Sequence, residues 1–194
     1  MNKMLLDIPT RIETDRLILR RYEPGDGAMY FAVGQKNHQH LQQFEADNII
    51  LSAKTQEEAE ITIRELNSDW IARNSFFLGA FDKQTLEFIA QIYIGVVNWE
   101  LPEFEVGYFV DVDHQGKGFV TEAVKAALRF IFGYLKAQRV CLHTRDTNLP
   151  SQRVAERCGF TLEGHIRENK RDTDGTVSGD LYYGLLKSEY NASM

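Results

Sequence analysis

The chain has 194 residues, a length typical of one folded domain with a substantial hydrophobic core. Its 43% hydrophobic and 26% charged residues are typical of a soluble globular protein, which excludes a disordered chain. No apolar run approaches the roughly 20 residues of a membrane-spanning helix. The net charge of −6 argues against binding to the nucleic-acid backbone, which needs clustered Lys and Arg.

The first third of the chain predicts one strand and two helices. Alternating apolar residues favour a strand within 14–22, and the break at 24–27 begins a short helix that runs through Val33. The segment 35–43 lacks clean periodicity. A stripe at helical spacing predicts a helix over 52–73. The stripe consists of Ala59, Ile63, Leu66, Trp70 and Ile71.

Three strands and a long helix are predicted in the middle of the chain. The strand candidates are 76–81, 88–97 and 104–110, and the short turns between them favour antiparallel neighbours. A glycine-containing segment at 113–118 then leads into an amphipathic helix that ends within 133–137. Its apolar face carries Val120, Val124, Ala127, Leu128, Ile131 and Leu135.

The last third predicts a strand, a short helix and a hairpin. The strand is 139–144, Pro150 suits the first turn of the helix, and Gly159 is a natural residue for its end. The hairpin over 160–186 turns at 172–175 and is long enough to reach a partner subunit. We therefore expect a monomer or a homodimer.

The order of these elements, β-α-α-β-β-β-α-β-α-β-β, predicts an α+β (mixed α/β) fold. We expect one domain over residues 1–194 with its core at about 14–187. A mostly antiparallel mixed sheet of about seven strands, flanked by about four helices, would form that core.

The cysteines and histidines predict neither a disulfide nor a metal site. Met4–Leu6 is too short for the apolar part of a secretory signal, so we expect a cytoplasmic protein in which Cys141 and Cys158 are free buried thiols. The histidines show no zinc-site spacing with cysteine. Asp172 begins a calcium-loop pattern, but the twelfth position is Tyr183 and not Glu, which favours a hairpin turn.

Two glycines at the start of the long helix predict a site for a phosphorylated ligand. The first helical N–H groups have no intrahelical partner, and Gly116 and Gly118 let a phosphate approach because they have no Cβ. Lys117 adds a mobile cation. The third glycine of a dinucleotide-binding GxGxxG loop is missing, and the GxxxxGK[ST] pattern is absent, so the sequence argues against a Rossmann-type or a P-loop protein.

The loop resembles the pyrophosphate-binding loop of the GNAT acetyltransferases, [Q/R]xxGx[G/A]. Gln115, Gly118 and Val120 occupy its three marked positions, with Val120 bulkier than the usual Gly or Ala. The longer run from His114 to Ala123 closely resembles the Rim-type branch, which acetylates the N-termini of ribosomal proteins. The predicted order of elements also matches the GNAT fold nearly end to end.

This resemblance implies that the chain binds acetyl-CoA as acetyl donor, without a metal. In the family, the strand before the loop splays from its neighbour, which frees backbone groups of residues 109–112 for the pantetheine arm. Asn148 and Ser151 match the N-x-x-[S/A] start of the next helix, although both are also favoured helix caps whatever the function. The implied cofactor-binding residues are Val110, Val112, Gln115, Gly116, Lys117, Gly118, Phe119, Val120, Asn148 and Ser151.

Two residues are candidates for catalysis. Many GNAT enzymes place a tyrosine one helical turn further on, where Val154 and Ala155 stand here. Rim-type enzymes use the serine, so the resemblance assigns Ser151 to stabilising or protonating the coenzyme A thiolate. Glu105, on the strand that leads to the loop, is the candidate general base or else a solvated strand carboxylate, with Glu168 in reserve.

The acceptor is expected to be a primary amine that reacts directly in a ternary complex. Trp99, Glu100 and Glu103 form an acidic and aromatic cluster that would receive a cationic N-terminus or would be a polar hairpin turn. The Rim resemblance implies a protein N-terminal α-amine. A small amine (polyamine, aminoglycoside or amino acid) and a non-catalytic coenzyme A-binding module remain alternatives, and no membrane or nucleic-acid partner is expected.

Overall fold

The computed structural model describes residues 2–171 and 175–192, which contain eight strands and five α-helices. The strands are β1 (Arg11–Glu13), β2 (Leu17–Arg21), β3 (Ser75–Asp82), β4 (Phe88–Asn98), β5 (Glu103–Val110), β6 (Arg139–Arg145), β7 (Thr161–Arg171) and β8 (Val177–Leu186). The helices are α1 (Gly27–Phe44), α2 (Gln56–Ala72), α3 (Phe119–Gly133), α4 (Leu149–Arg157) and α5 (Lys187–Ala192).

All the strands belong to one sheet, in the order β1-β2-β3-β4-β5-β6-β8-β7. Every neighbouring pair is antiparallel except β5 and β6, which run parallel. The predicted mixed, mostly antiparallel sheet is therefore confirmed, and the parallel βαβ order of a Rossmann-type protein is excluded. The additional strand β1 and the additional helix α5 are too short to produce a periodic pattern in the sequence.

The parallel pair opens into a cleft in the middle of the sheet. β5 and β6 pair only where Glu103–Glu105 face Arg139–Cys141. Beyond that point β5 continues beside β4 as far as Val110, and β6 continues beside β8 as far as Arg145. Within the described ranges, the backbone of β5 from Val106 onward thus has no strand on one side, as the family resemblance implied.

Helix α1 is much longer than predicted. It continues through the segment 35–43 to Phe44, whereas the sequence predicted a short helix through Val33. Its buried face carries Tyr30, Val33 and Leu41, but the core-facing position between them is the polar Asn37, which is fully buried. A polar residue inside the stripe hid the helical period. Its amide is satisfied by the Val33 carbonyl at 2.9 Å and by Asp111 at 3.0 Å.

The two faces of the sheet carry separate hydrophobic clusters. Helix α3 packs on one face, with Val124, Leu128 and Ile131 in the larger cluster. Helices α1 and α2 cover the other face through a smaller cluster. The predicted stripe of α2 is buried except for Ile71, which is 59% exposed. The assignment of Ile71 to the buried stripe was therefore wrong.

The predicted free thiols are confirmed, since Cys141 and Cys158 are unpaired and buried. Burial raises the pKa of each thiol to about 11. Residues 172–174, most of the predicted turn and the start of the calcium-like pattern, lie outside the described residues. Within the described ranges no three His, Cys, Asp or Glu side chains are grouped to hold a metal, and no helix is long and apolar enough to cross a membrane.

Candidate active site

A cavity of about 450 Å³ lies where the cleft meets the glycine loop. The loop, the end of β5 and the first turn of α4 form it, and His40 and Leu41 of α1 close one side. Of the predicted cofactor-binding residues, all but Val112 and Lys117 line this cavity. Those that do are Val110, Gln115, Gly116, Gly118, Phe119, Val120, Asn148 and Ser151. We call it the cofactor cavity.

The glycine loop has the backbone of an anion site. Gly116 and Gly118 adopt φ angles of 71° and 77°, a left-handed conformation that side-chain-bearing residues rarely adopt. Gly118 precedes the first turn of α3, and no side chain of the described residues caps the N–H groups of that turn. Those donors and the positive end of the helix dipole remain for a ligand. Lys117 is exposed and donates to the Asp113 carbonyl at 2.8 Å.

An ion pair from the start of β2 holds this loop in place. Glu122, in the first turn of α3, accepts from Thr14 Oγ1 at 2.6 Å and from the Arg16 backbone N–H at 3.0 Å. The Arg16 guanidinium pairs with the same carboxylate at 2.6 Å and donates to the Lys117 carbonyl at 3.1 Å. It also lies 4.4 Å from the centre of the Phe119 ring. The loop is therefore positioned before any ligand binds.

A second set of contacts ties α1 to the end of β5. Asp111, 2% exposed, accepts from Lys36 at 2.7 Å and from Asn37 at 3.0 Å. The Asn37 amide oxygen accepts from the Val112 N–H at 2.9 Å. Burial opposes ionisation of Asp111, but the bonds from Lys36 and Asn37 outweigh it and lower its pKa. These contacts set the position of the C-terminal end of α1 relative to the cleft.

Ser151 meets a tyrosine that the sequence analysis did not assign. Asn148 caps α4 by accepting from the Ser151 N–H at 3.2 Å, which places the serine in the first turn. The Ser151 Oγ lies 3.0 Å from the Tyr108 hydroxyl, and that hydroxyl also lies 3.2 Å from the Ser151 carbonyl, to which it donates. Val154, which stands where the family resemblance would place a tyrosine, also lines the cavity, as does Tyr108 of strand β5.

Burial is the main reason that the pKa of Tyr108 is raised, and the nearby Glu45 carboxyl also contributes. The hydroxyl therefore stays protonated at neutral pH and donates its proton to the Ser151 carbonyl. Tyr108 stands in the run Glu105–Tyr108 that the family shows, but strand alternation alone gave no reason to separate it from an ordinary core tyrosine.

A second cavity of about 680 Å³ adjoins the first. The two share four lining residues: Phe44, Glu45, Tyr108 and Phe109. Gln91 and Tyr93 of β4 form one side of the second cavity, and three cationic side chains line it from β6 and β7. The cations are Arg145, Lys170 and Arg171. We call this space the acceptor-side cavity.

Glu45 stands at the junction of the two cavities. It follows the last residue of α1, and its half-buried side chain accepts from Asn48 Nδ2 at 2.7 Å. Burial raises the pKa of Glu45 to about 7, although the Asn48 bond opposes the shift. It comes directly after the non-periodic segment, and no motif marks it. Sequence reasoning therefore missed it.

The remaining predicted site residues are not among the described residues that line the two cavities. Glu105 is nevertheless near the second cavity, since burial and the Glu105 carboxylate both raise the pKa of Tyr93. Glu105 is the last residue of β5 that pairs with β6, and its carboxylate lies 3.2 Å from His143 Nδ1. Glu168 is exposed on the irregular part of β7. Trp99 donates to the Arg73 carbonyl at 3.1 Å, and Glu103 pairs with Arg139 at 2.9 Å.

Trp99 and Glu100 lie in the connection between β4 and β5, and Glu103 is the first residue of β5. The glycine loop follows the opposite end of β5. The structure thus brings the predicted cofactor residues together with Ser151, but it separates them from the predicted acidic and aromatic acceptor cluster.

The amino-acid sequence of this chain is similar to those of known proteins. Residues 16–161 match the family described as acetyltransferase (GNAT) domain. The probable N-acetyltransferase YjcK of Bacillus subtilis is 44% identical over 33% of this chain and 35% of its own length. A ribosomal-protein-serine acetyltransferase of Escherichia coli is 30% identical over 50% of this chain and 56% of its own length. The chain therefore spans less than two thirds of these relatives.

Two solved structures have a similar fold over nearly the whole chain. A ribosomal-protein-S5-alanine acetyltransferase from Vibrio fischeri has a TM-score of 0.82 at 18% identity and covers 94% of this chain and 99% of its own. The ribosomal L7/L12 α-N-protein acetyltransferase RimL, in complex with coenzyme A, has a TM-score of 0.80 at 20% identity, with 92% and 97% covered. At sequence identities of 18% and 20%, this structural similarity shows the fold alone.

Proposed function

This chain belongs to the GNAT acetyltransferase family, and on that premise we propose that it transfers the acetyl group of acetyl-CoA to a primary amine within a ternary complex. One observation carries the proposal: two cavities meet at Tyr108, in a cleft where β5 has left its parallel neighbour. A donor bound in one cavity and an acceptor bound in the other would react at that junction.

The residues of the cofactor cavity fit a coenzyme A ester. The uncapped first turn of α3 and the open space beside Gly116 suit a pyrophosphate. The free edge of β5 offers backbone groups to an amide-containing arm, which would satisfy groups that are otherwise costly to leave unpaired. Bound there, the ester supplies an acetyl thioester whose sulfur would lie near Ser151.

The hydroxyl pair of Ser151 and Tyr108 has the chemistry that the leaving group requires. As the carbon–sulfur bond breaks, the sulfur takes the electron pair and becomes a thiolate. A positioned O–H donor stabilises such developing charge and returns a proton to it. We assign this role to Ser151, as the resemblance implied, with Tyr108 as its hydrogen-bonded partner. A covalent acetyl-cysteine route is not supported, since both thiols are buried with raised pKa values.

We further propose that the acceptor is a protein N-terminal α-amine. Such an amine titrates near 8, against about 10.4 for a lysine side chain, so a weak base suffices to free its lone pair. The relatives named as ribosomal-protein acetyltransferases support this choice. Three cations (Arg145, Lys170 and Arg171) and two carboxyl groups (Glu45 and Asp47) line the acceptor-side cavity, and Lys170 is paired with Asp180 at 3.2 Å. The excess of cations favours a peptide over a polyamine, which is a polycation.

The proposal is tested by binding and turnover measured on the same protein. Thermal unfolding is followed with acetyl-CoA, NAD or S-adenosylmethionine, and a ligand at a hundred times its dissociation constant adds about 2.7 kcal/mol of stability. Release of coenzyme A thiol is then measured with short peptides that have a free N-terminal serine or alanine, and with spermidine. We expect stabilisation by acetyl-CoA alone and turnover of the peptides.

Three other results would each lead to a different conclusion. Stabilisation by acetyl-CoA without turnover of any amine would make the chain a coenzyme A-binding module. Turnover of spermidine alone would move the acceptor to the small amines. No stabilisation by acetyl-CoA would overturn the proposed function.

A further inference from the structure

Glu45 is a carboxyl group at the reaction junction whose described contacts satisfy only one of its two oxygens. It lies just beyond the end of α1 and lines both cavities beside Tyr108. Its one hydrogen bond to the described chain comes from Asn48, three residues away, and it forms no ion pair with any described residue. A carboxyl that is only needed for structure is normally paired when it is buried.

We propose that Glu45 is the general base that accepts the proton of the acceptor amine. This inference rests on the proposed acetyl transfer. It assigns the general base to Glu45, whereas the sequence analysis named Glu105 as the candidate. Asn48 occupies Oε2 and holds the carboxyl at the junction, so that the other oxygen is the one offered to the amine.

The electrostatics of the site agree with this role. Burial brings the pKa of Glu45 to about 7, close to the pH at which a cytoplasmic enzyme would work and within about one unit of an α-amine. A base of this strength is about half ionised at pH 7 and mostly ionised at pH 8, and it can still take a proton from an ammonium group. An exposed carboxylate of ordinary pKa would be a weaker base by more than two units.

The proton count of the reaction closes with Glu45 in this place. The acceptor arrives as an ammonium ion, and the carboxylate of Glu45 takes one proton. The freed nitrogen lone pair attacks the thioester carbon, the carbon–nitrogen bond forms and the carbon–sulfur bond breaks. The sulfur receives a proton from the hydroxyl pair of Ser151 and Tyr108. The second proton of the amine then returns to that pair and restores it. Glu45 then releases its proton to solvent.

Other charged and titratable groups surround Glu45 in the two cavities. Those of the acceptor-side cavity are Asp47, Tyr93, Arg145, Lys170 and Arg171. Those of the cofactor cavity are His40, Tyr108, His114, Arg153 and Arg157. Burial is the dominant influence on the pKa of Glu45, and the hydrogen bond from Asn48 opposes it.

Glu105 is less well placed for the same task. Its carboxylate faces His143 across the paired part of β5 and β6, before the strands diverge, and it lies outside both cavities within the described part of the chain. An amine bound at the junction would therefore meet Glu45 first.

The experiment compares three carboxyl-to-amide variants over pH 5.5–9, with a peptide that has a free N-terminal serine as probe. Glu45→Gln should lower kcat/KM by about 10²- to 10⁴-fold, and the rise of the rate through pH 7 should disappear. Asp47→Asn, which removes a neighbouring charge from the same cavity, and Glu105→Gln should both keep that rise. Acetyl-CoA should stabilise all three variants against heat equally.

A second measurement is independent of turnover. The carboxyl carbon of Glu45 is titrated by NMR in protein with ¹³C-labelled glutamate, and the signal is assigned by its loss in Glu45→Gln. A titration near 7 supports the proposal, and one near the ordinary value of 4.5 overturns it.

Failure of the base and failure of the function would look different. A wild-type protein that acetylates the peptide, beside a Glu45→Gln variant with the same pH profile, would overturn only the role of Glu45. Transfer of the pH effect to Glu105→Gln would restore Glu105 as the base. A wild-type protein without turnover of any amine would overturn the proposed function and the base with it.

Discussion

The hydroxyl of Tyr108 lies 3.0 Å from the Oγ of Ser151 and joins the end of β5 to the first turn of α4 across the open cleft. The two residues are separated by 43 positions in the chain. Both residues line the cofactor cavity together with Glu45, so that a candidate acid and a candidate base flank one junction.

Removing either hydroxyl of this pair should slow the chemical step. We expect Ser151→Ala and Tyr108→Phe each to lower kcat by about 10- to 10³-fold, with acetyl-CoA affinity nearly unchanged. The double variant should be little slower than the worse single variant, because the two hydroxyls act as a unit. Tyr134→Phe, an exposed tyrosine beyond the end of α3, is the control. Unchanged turnover in Ser151→Ala would refute its assignment.

Negative charge at Gly118 should abolish cofactor binding. Gly118→Asp and Gly118→Asn impose the same left-handed strain, at a cost of about 1 kcal/mol, but only the aspartate repels a pyrophosphate. We expect acetyl-CoA to stabilise the Asn variant partly and the Asp variant not at all, as measured by thermal unfolding. Equal stabilisation of both would place the phosphates elsewhere.

The buried carboxylate that ties α1 to β5 should matter for stability. Asp111→Ala leaves Asn37 and Lys36 without their shared acceptor and should cost about 3 kcal/mol in urea unfolding. Asp113→Ala removes the exposed partner of the same lysine and should cost less than about 1 kcal/mol. Because the pKa of Asp111 is lowered in the folded state, its contribution is present above the unfolded pKa and disappears as the pH falls through the folded value.

Glu45 should have the opposite effect on the pH dependence of stability. Its pKa is raised from 4.5 to about 7 on folding, so its favourable contribution is complete below 4.5 and is lost as the pH rises through 7. Glu45→Gln does not titrate. Relative to the wild type, the variant should therefore gain up to about 3 kcal/mol between pH 4 and pH 8, as measured by urea unfolding at each pH. A constant difference would mean that Glu45 ionises normally.

The cations of the acceptor-side cavity should select acidic peptides. Peptides with aspartate at the second and third positions should have a lower KM than matched peptides with lysine there, by about tenfold at low salt. Lys170→Glu should reduce or reverse that preference. A preference that is unaffected by this charge reversal would show that the acceptor does not extend toward β7.

The elements of the sheet were largely predictable because their patterns are local. The strands around β3, β4 and β5 and the helix after the glycine loop follow from alternation and from helical stripes. The C-terminal half of α1 was not predictable in this way, since the buried Asn37 occupies a core-facing position and pairs with Asp111, 74 residues further along the chain.

The sequence by itself determined the family, the turns of the glycine loop and the capped start of α4. These depend on residues close together in the chain, such as Gly116, Gly118 and Asn148, whose backbone conformations and caps are local. Only the tertiary structure brought Tyr108 to Ser151 and placed Glu45 at the junction. Side chains from distant segments meet through the packing of α1 on the sheet and the divergence of β5 from β6, and no local pattern in the sequence encodes that proximity.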